Sequence, residues 1–298
     1  MTTSPLRWLL HLGQGIAIGV ANVIPGVSGG TMALVLGIYE RLIELLSDLF
    51  RGGISLLRLD LASFRSTVSA VEWGFLVSLF VGVLIAPLLG AALIPDLLET
   101  WPQESRSLFF GLILGTIPIP WLRISDHQLK NVLVLMAAAV VSFILVGIPP
   151  LEVTDPGLWA VFGAAVLAIC AALLPGISGA FVLLILGMYT PIFDAINERN
   201  FIVLFVFALG AGIGLGSFSV VLKSLLARAH DVTMAALVGL MLGSLRSLWP
   251  WLAADRSLLQ PNMGENFSAI VWLGLLGLLL SVGMTAWEMK KSKRGARD

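Results

Sequence analysis

Two stretches of this sequence are near copies of each other, and they decide the fold. Residues 25–39 read Pro-Gly-Val-Ser-Gly-Gly-Thr-Met-Ala-Leu-Val-Leu-Gly-Ile-Tyr, and residues 175–189 read Pro-Gly-Ile-Ser-Gly-Ala-Phe-Val-Leu-Leu-Ile-Leu-Gly-Met-Tyr. Eight of the fifteen positions are identical without a gap. A second match follows, because Gly-Leu-Ile-Leu-Gly at 111–115 corresponds to Gly-Leu-Met-Leu-Gly at 239–243. We therefore interpret the chain as a duplication of one unit.

The overall composition indicates that the chain lies in lipid. Its 298 residues include 18 Lys and Arg against 18 Asp and Glu, and 58% are hydrophobic while only 12% are charged. Soluble domains carry about 25% charged residues, so this chain lacks the polar surface that water requires. A zero net charge also lacks the basic footprint of nucleic-acid-binding proteins. These numbers exclude a soluble enzyme and a nucleic-acid partner, and they predict an integral membrane protein that contacts membrane lipids.

Ten hydrophobic segments are predicted on the rule that about 20 apolar residues span a bilayer. They cover residues 6–24, 30–50, 74–98, 106–121, 131–148, 158–174, 179–196, 201–226, 233–251 and 268–287. One Pro-Gly motif interrupts the first pair of segments, and the other interrupts the sixth and seventh. The sequence therefore predicts an all-α polytopic membrane protein made of two repeats of about five hydrophobic segments, each with a Pro-Gly-broken helical hairpin.

The two predicted repeats meet near the middle of the chain. The first, residues 1–150, contains a hairpin at 6–50, a cytoplasmic loop at 45–72 and spans at 74–148; the second, residues 151–298, contains a hairpin at 158–196, spans at 201–287 and a basic cytoplasmic tail at 288–298. The first pair of matching motifs is 150 residues apart and the second pair only 128. The first repeat therefore holds 22 extra residues between its motifs, which we assign to the charged stretch 45–72.

Lys and Arg orient the chain, because they collect in cytoplasmic loops. With the basic tail inside, fourteen of the eighteen fall in inside loops, three in outside loops and Arg246 within an apolar segment. Each broken pair of segments must then begin and end on one face, the first inside and the second outside. Both termini are predicted to be cytoplasmic and the repeats inverted, as in many secondary transporters. Each broken pair is either two full spans or a re-entrant hairpin; we favour the hairpin because Pro and Gly interrupt helices.

The two motif copies are candidate anion sites. Each ends in Ser-Gly-Gly or Ser-Gly-Ala and then begins a helix, whose first turn has unpaired N–H groups and a partial positive charge. Two opposed helix starts would form one phosphate site at the midplane that either face can reach. The predicted substrate-binding residues at these tips are Asn22, Gly26, Ser28, Gly29, Gly30, Thr31, Gly176, Ser178, Gly179 and Ala180. The alternative is that each motif is a tight turn with small residues for helix packing.

Charged residues near the predicted spans extend this candidate site. Arg246 and Arg106 are predicted to bind the anion, since a guanidinium group can hold phosphate with two parallel hydrogen bonds. Snorkelling to the membrane surface is the alternative for Arg246, which precedes Trp249. For Arg106 the alternative is a solvated charge at a helix end or an ion pair with Glu104. Glu40 and Glu104 are candidate sites for a coupling proton or sodium ion, with solvated charges at helix ends as the alternative.

An enzyme is a second interpretation of the same motif. Gly-Val-Ser-Gly-Gly at 26–30 satisfies the G-x-S-x-G pattern of serine hydrolases, and a serine nucleophile needs a base within hydrogen-bond reach. His11 precedes the motif, whereas His127 and His230 fall in predicted cytoplasmic loops, so an intramembrane hydrolase or lipid phosphatase is disfavoured. The three histidines lack metal-ligand spacing, so no metal site is predicted, and no cofactor is predicted either. A secondary transporter of a small anion is the other alternative.

Four stretches of the chain resemble a known family. Residues 15–33 (GIAIGVANVIPGVSGGTMA), 37–40 (GIYE), 109–118 (FFGLILGTIP) and 175–179 (PGISG) closely resemble the PopT-type polyprenyl-phosphate transporter family, over essentially the whole chain. The resemblance implies a multi-pass protein of the bacterial cytoplasmic (inner) membrane. It implies return of undecaprenyl phosphate, the lipid carrier of cell-wall building blocks, from the outer to the inner leaflet. The second copy has Ala-Phe where the first has Gly-Thr, so the first tip is expected to make more of the headgroup contacts.

Overall fold

The structure, a computed structural model, describes residues 5–23, 28–90, 100–264 and 266–295. Its helices are α1 (Pro5–Val23), α2 (Gly29–Val35), α3 (Tyr39–Leu57), α4 (Leu61–Ala70), α5 (Trp73–Gly90), α6 (Pro102–Thr116), α7 (Pro118–Trp121), α8 (Leu129–Leu145), α9 (Leu158–Leu173), α10 (Gly179–Ile185), α11 (Tyr189–Asn197), α12 (Phe201–Arg228), α13 (His230–Ser244), a 3₁₀ helix (Leu245–Leu248) and α14 (Phe267–Gly295). Within the described ranges the only β pairing is an isolated antiparallel bridge between Leu252 and Leu258. The all-α prediction is confirmed.

Several helices have the apolar character of membrane spans. Two described stretches, Phe201–Arg228 and His230–Leu248, are long and apolar enough to cross a bilayer alone, and two bent helix pairs raise the number to four if each pair is one span. Shorter apolar helices are Leu129–Leu145, Leu158–Leu173 and Phe267–Gly283. Large apolar side chains also cover the outside of the bundle, as Phe205 and Leu279 do with 68% exposure each. Such a surface suits lipid rather than water.

Four helix pairs form the frame of the molecule. α1 packs on α5, α9 on α12, α6 on α14 and α8 on α13. Glycines make these contacts close: a Cβ added to Gly111 would lie 1.9 Å from the carbonyl oxygen of Gly274, and one added to Gly239 would lie 2.2 Å from that of Leu135. Small residues let helix backbones approach each other in membranes. The paired Gly-Leu-x-Leu-Gly matches of the sequence are therefore helix-packing sites.

A glycine in the left-handed region ends the short helix that follows each motif copy. Gly37 and Gly187 have φ of 71° and 70°, and the next N–H bonds back to the carbonyl five residues earlier at 3.0 and 2.8 Å. This Schellman ending is typical of glycine after a helix. The second such break bends α10 against α11 by 103°. The predicted segments 30–50 and 179–196 therefore each contain a helix break, which a count of apolar residues does not locate.

The charged stretch 45–72 is largely helical rather than a loop. α3 continues through its first part, and α4 begins after Asp60, whose carboxylate accepts the N–H of Ser63 at 3.0 Å. α3 packs on α12, and Lys223 of α12 lies 2.8 Å from Asp48 of α3. The charges therefore mark one side of an amphipathic helix. Counting charges along the chain, without their helical period, led to the loop prediction.

Candidate functional site

The two motif copies, far apart in sequence, lie in direct contact. The hydroxyl of Thr31 accepts a hydrogen bond from the N–H of Gly176 at 2.8 Å, and the hydroxyl of Ser28 donates to the carbonyl of Leu174 at 3.2 Å. Ser28 and Thr31 are each only 1% exposed. The first copy thus packs against the end of α9 and the turn that follows it. Residues that were predicted to share one site are brought together here.

The first tip comprises Ser28 and the start of α2, and its N–H groups are bound within the protein. The N–H of Gly29 donates to Oδ1 of Asn22 at 2.8 Å, and the N–H of Gly30 donates to the Ser28 hydroxyl at 3.2 Å. A Cβ on Gly30 would lie 2.8 Å from a carbonyl oxygen of α9, so only glycine permits this approach. The first tip therefore serves capping and packing in this conformation. Gly26, another predicted ligand, lies outside the described residues.

The second tip comprises Ser178 and the start of α10, and it is more open. Ser178 stands at the N-cap of α10, but its side chain makes no capping hydrogen bond. Ser178 and Gly179 are half-buried, and Ala180 is exposed. Gly176 precedes them with φ of 89°, a backbone conformation that favours glycine. In this conformation the more accessible helix start is that of the second tip, whereas the sequence led us to expect more headgroup contacts at the first.

The two predicted arginine ligands lie together, close to the second tip. Arg246 donates from Nη1 to the carbonyl of Phe143 and from Nη2 to the carbonyl of Arg256, both at 3.1 Å. Arg106 donates from Nη1 to the carbonyl of Leu252 at 3.0 Å. Both guanidinium groups are therefore held against the short turn that contains Arg256. Arg246 is half-buried and bonds two backbone carbonyls near a helix end.

Arg256 is the residue that the sequence analysis missed, since it was counted only as a charge in an outside loop. Its guanidinium lies 4.2 Å from the ring centre of Phe181 in α10, and its Nη1 donates to the carbonyl of Val146 at 2.9 Å. Burial and then the positive charges of Arg106 and Arg246 lower the pKa of Arg256. Three cations therefore share one electrostatic environment. A loop arginine carries no periodic signal, so only the fold could place it.

The two predicted coupling carboxylates have separate partners. Oε1 of Glu40 lies 3.6 Å from Nε2 of His230. Oε1 of Glu104 accepts a hydrogen bond from Nδ2 of Asn266 at 3.3 Å. Among the residues that the structure describes, Glu104 forms no ion pair with Arg106, so the alternative of a local pair between them is not observed. Neither carboxylate takes part in the hydrogen bonds that join the motif copies.

An apolar cavity of about 240 Å³ lies beside the first tip. Asn22 contributes to its lining together with the start of α2, and mostly apolar residues of α1, α3, α5, α9 and α12 complete it. Phe80 belongs to this lining and is 60% exposed on the outside of the bundle, so the cavity lies at the lateral surface. A groove of about 410 Å³ between α3 and α12 adjoins it, and Leu46 and Leu215 line both.

The surroundings of Ser28 differ from those of a catalytic serine. Its hydroxyl donates to carbonyl oxygens and accepts the N–H of Gly30. The ring of His11 hydrogen-bonds Gln14 at 3.0 Å and packs edge-on against Phe75. In the described part of the chain, no histidine is hydrogen-bonded to Ser28. The nucleophile–base pair that a serine hydrolase needs is therefore not assembled among these residues.

Comparisons with known proteins point to one family. The sequence model of the VCA0040-like family, described as undecaprenyl phosphate translocase-like, matches residues 18–267. The chain is 39% identical over 252 residues to a polyprenyl-phosphate transporter of Vibrio cholerae, covering 84% of this chain and 80% of the relative. It is 30% identical over 267 residues to a polyprenyl-phosphate transporter of Staphylococcus aureus, covering 84% and 88%. No solved structure matches significantly. The resemblance found in the sequence is confirmed, and the chain belongs to the undecaprenyl phosphate translocase-like family.

Proposed function

We propose that this protein moves polyprenyl phosphate, with undecaprenyl phosphate as its substrate, across the bacterial cytoplasmic membrane. Family membership and the names of the two relatives support the substrate class. Transport of a lipid phosphate needs a polar binding site for the headgroup while the tail stays in lipid. The observation that carries the proposal is the hydrogen bond between Thr31 and Gly176, because it joins motif copies from the two halves at one place.

The proposed mechanism is alternating access by two inverted repeats, residues 1–150 and 151–298. The pair of α1 with α5 in the first repeat corresponds to the pair of α9 with α12 in the second, and α6 with α14 corresponds to α13 with α8. Helices that occupy equivalent positions in the two repeats therefore have equivalent packing partners, which supports the duplication. In inverted-repeat transporters the halves exchange conformations around a site near the midplane. We assign that site to the tips of two re-entrant hairpins, 6–50 and 158–196.

The difference between the two tips supports such an exchange. The first tip is buried and its helix start is capped, whereas the second is half-buried beside three arginines. Lys223 of α12 pairs with both Asp48 and Glu44, at 2.8 and 3.4 Å, near the middle of α3. We propose that these ion pairs lie on the cytoplasmic side and close the conformation described here toward the cytoplasm. Its open site then faces the outside, the side from which the lipid is returned.

The lateral cavity favours a lipid over a small anion as substrate. Its lining is apolar, it reaches the outside of the bundle at Phe80, and it meets the first tip at Asn22. A carrier of a small anion would instead enclose its ligand in a pocket closed to lipid. We propose that the prenyl tail lies in this cavity and in the adjoining groove between α3 and α12 while the headgroup is at the tips.

Energy coupling is assigned to a proton or sodium ion bound at Glu40 or Glu104. Oε1 of Glu40 faces Nε2 of His230 across 3.6 Å. A proton can pass between a carboxylate and an adjacent histidine without leaving the protein. This proposal makes the transport rate sensitive to the pH gradient.

A charge introduced at the second tip tests the proposed site. Ala180 is exposed, so Ala180→Asp adds a carboxylate where phosphate should bind, and Ala180→Asn is the neutral control of matching shape. Transport of a fluorescent short-chain polyprenyl phosphate in proteoliposomes is measured by protection from an impermeant quencher. We expect Ala180→Asp to abolish protection and Ala180→Asn to retain it. Equal transport by both variants would contradict a phosphate site at this tip.

The same vesicles separate the alternative functions. Uptake of radioactive inorganic phosphate without movement of the lipid would favour the small-anion transporter. Release of inorganic phosphate from the lipid, lost in Ser28→Ala, would favour a lipid phosphatase. Movement of the intact lipid with neither activity is the outcome expected here.

A further inference from the structure

We infer that the guanidinium groups of Arg106, Arg246 and Arg256, together with Phe181, form a docking site for a phosphate monoester. This site is separate from the hydrogen bonds that join the two motif copies. The physiological ligand, a lipid headgroup, rests on the proposed function, whereas the anion chemistry of the site does not.

The first argument is that three arginine charges lie close together and that no carboxylate among the described residues pairs with them. The bonds from Arg246 to the Arg256 carbonyl and from Arg106 to the Leu252 carbonyl hold two guanidinium groups against the turn that carries Arg256. The Arg256 guanidinium donates to the carbonyl of Val146, three residues from the Phe143 carbonyl to which Arg246 donates. Among the described residues, none of the three forms an ion pair with a carboxylate. Asp255, next to Arg256, accepts hydrogen bonds from Ser257 instead. Three like charges held close together repel each other, and an anion relieves that repulsion.

The second argument is the number of donors left over. Each guanidinium has five N–H donors, and the described partners of Arg106 and Arg256 are single carbonyl groups, those of Leu252 and Val146. Nε of Arg246 is buried and has no hydrogen-bond partner among the described residues. A buried donor without a partner is costly. A phosphate monoester offers three anionic oxygens, which suits several arginine forks at once.

The third argument is the backbone of Arg256. Its φ is 65°, in the left-handed region that few side chains other than Gly, Asn and Asp adopt. Strain of this kind persists only where the surrounding structure enforces it, and it gathers at ligand sites. Leu59, Asp155 and Arg199 adopt the same conformation, so the argument at Arg256 is that the strain coincides with the arginine cluster. Its position is further set by the ring of Phe181 at 4.2 Å.

The position of Phe181 links this cluster to the transport site. Phe181 lies one residue beyond exposed Ala180 on α10, so an anion among the arginines is next to the second tip. Phe181 stands where the first copy has Thr31. The sequence shows this difference between the two copies but does not explain it. In the structure Phe181 contacts Arg256, so we assign it the role of positioning that arginine. A headgroup held here is poised to move to the tips.

Binding by the purified full-length chain in detergent tests this inference without requiring transport. Calorimetric titration uses inorganic phosphate in one arm and farnesyl monophosphate in the other, at low salt. We expect Arg256→Gln to weaken farnesyl monophosphate on the order of tenfold or more. Arg256→Lys should weaken it less, because it keeps the charge but not the fork. Arg199→Gln is the matched control, since Arg199 is an exposed loop arginine with φ of 57°.

The outcomes separate this inference from the proposed function. Loss of binding in both arms for Arg256→Gln shows that phosphate alone is recognised, and loss in the farnesyl arm only shows that a lipid-linked phosphate is required; either supports the site. Unchanged binding of both ligands by Arg256→Gln and by Arg246→Gln, with melting curves like the parent, would overturn it. If Arg256→Gln fails to fold, the Arg256→Lys titration decides in the same way. Should the parent bind phosphate through Arg256 but not move lipid, the site stands and the translocase proposal fails.

Discussion

Replacing Thr31 by Val tests whether the contact between the motif copies is a working part of transport. Val has the shape of Thr but no hydroxyl, so the N–H of Gly176 loses its acceptor at 2.8 Å. Both residues are buried, and an unsatisfied buried donor costs about 1–3 kcal/mol. Thr31→Ser keeps the acceptor and serves as the conservative variant.

The size of this loss predicts two readouts. If the bond exists only in the conformation described here, losing about 1–3 kcal/mol shifts the ratio of two transport conformations by about 5-fold to 150-fold. The thermal midpoint in detergent should fall by a few degrees. Transport of a short-chain polyprenyl phosphate in proteoliposomes should change by at least the lower factor, while Thr31→Ser should resemble the parent in both assays.

A matched control separates the loss of an acceptor from the loss of any hydroxyl. The hydroxyl of Thr233 donates to the carbonyl of Ala229 at 2.8 Å, and that carbonyl also accepts the N–H of Thr233. Thr233→Val therefore leaves no group unpaired and should change little. If Thr31→Val melts and transports like the parent, the contact has no energetic role. If it melts earlier but transports normally, the motif copies do not separate during transport, and alternating access around this contact is wrong.

Three further predictions follow from other parts of the molecule. Ser28→Ala should cost about 0.5–2 kcal/mol through loss of a helix cap and reduce transport, while Ser28→Thr retains both; covalent labelling of Ser28 by a serine-reactive reagent would instead indicate a nucleophile. Gly277→Ala puts a Cβ 2.2 Å from a carbonyl oxygen of α6 and should destabilise the protein by roughly 1–3 kcal/mol or more, whereas Gly283→Ala on the same helix, with nothing within 4 Å, should melt like the parent. Glu40→Gln or Glu104→Gln should remove acceleration by a pH gradient but not downhill movement of lipid; acceleration that survives the double variant would rule out both carboxylates.

Local signals account for the parts of the fold that the sequence predicted. Ser28 and Ser178 precede helix starts as expected, because a serine or glycine before an apolar run is a local capping signal. The breaks at Gly37 and Gly187 were equally local and could have been predicted, since glycine just after a periodic apolar stretch marks a helix end. They were missed because hydropathy was summed over whole segments.

The candidate site was predictable only in part, because it depends on contacts that are distant in sequence. The motif copies could be singled out by their repetition, yet the use of Asn22 as a cap for Gly29 is a tertiary result. Arg256 illustrates the limit more clearly, since its neighbours are Phe181 and Val146, 75 and 110 residues away along the chain. Nothing in the composition of this loop distinguishes such an arginine from a solvated one.

The departure between the two motif copies makes the molecule energetically asymmetric. If the repeats exchange conformations, the bond equivalent to that from Gly176 to Thr31 would need an acceptor on Phe181, which occupies the position of Thr31 in the second copy. A phenyl ring supplies no acceptor of comparable strength. The conformation described here therefore contains a hydrogen bond, worth about 0.5–1.5 kcal/mol net, that the exchanged conformation would lack. Phe181 instead packs under Arg256 and keeps a cation beside the second tip. A sequence with Thr at 181 would be more symmetric but would lose that contact. Under the proposed exchange of the repeats, this one difference would favour one conformation of the ligand-free protein and also position the arginine proposed to bind the anion.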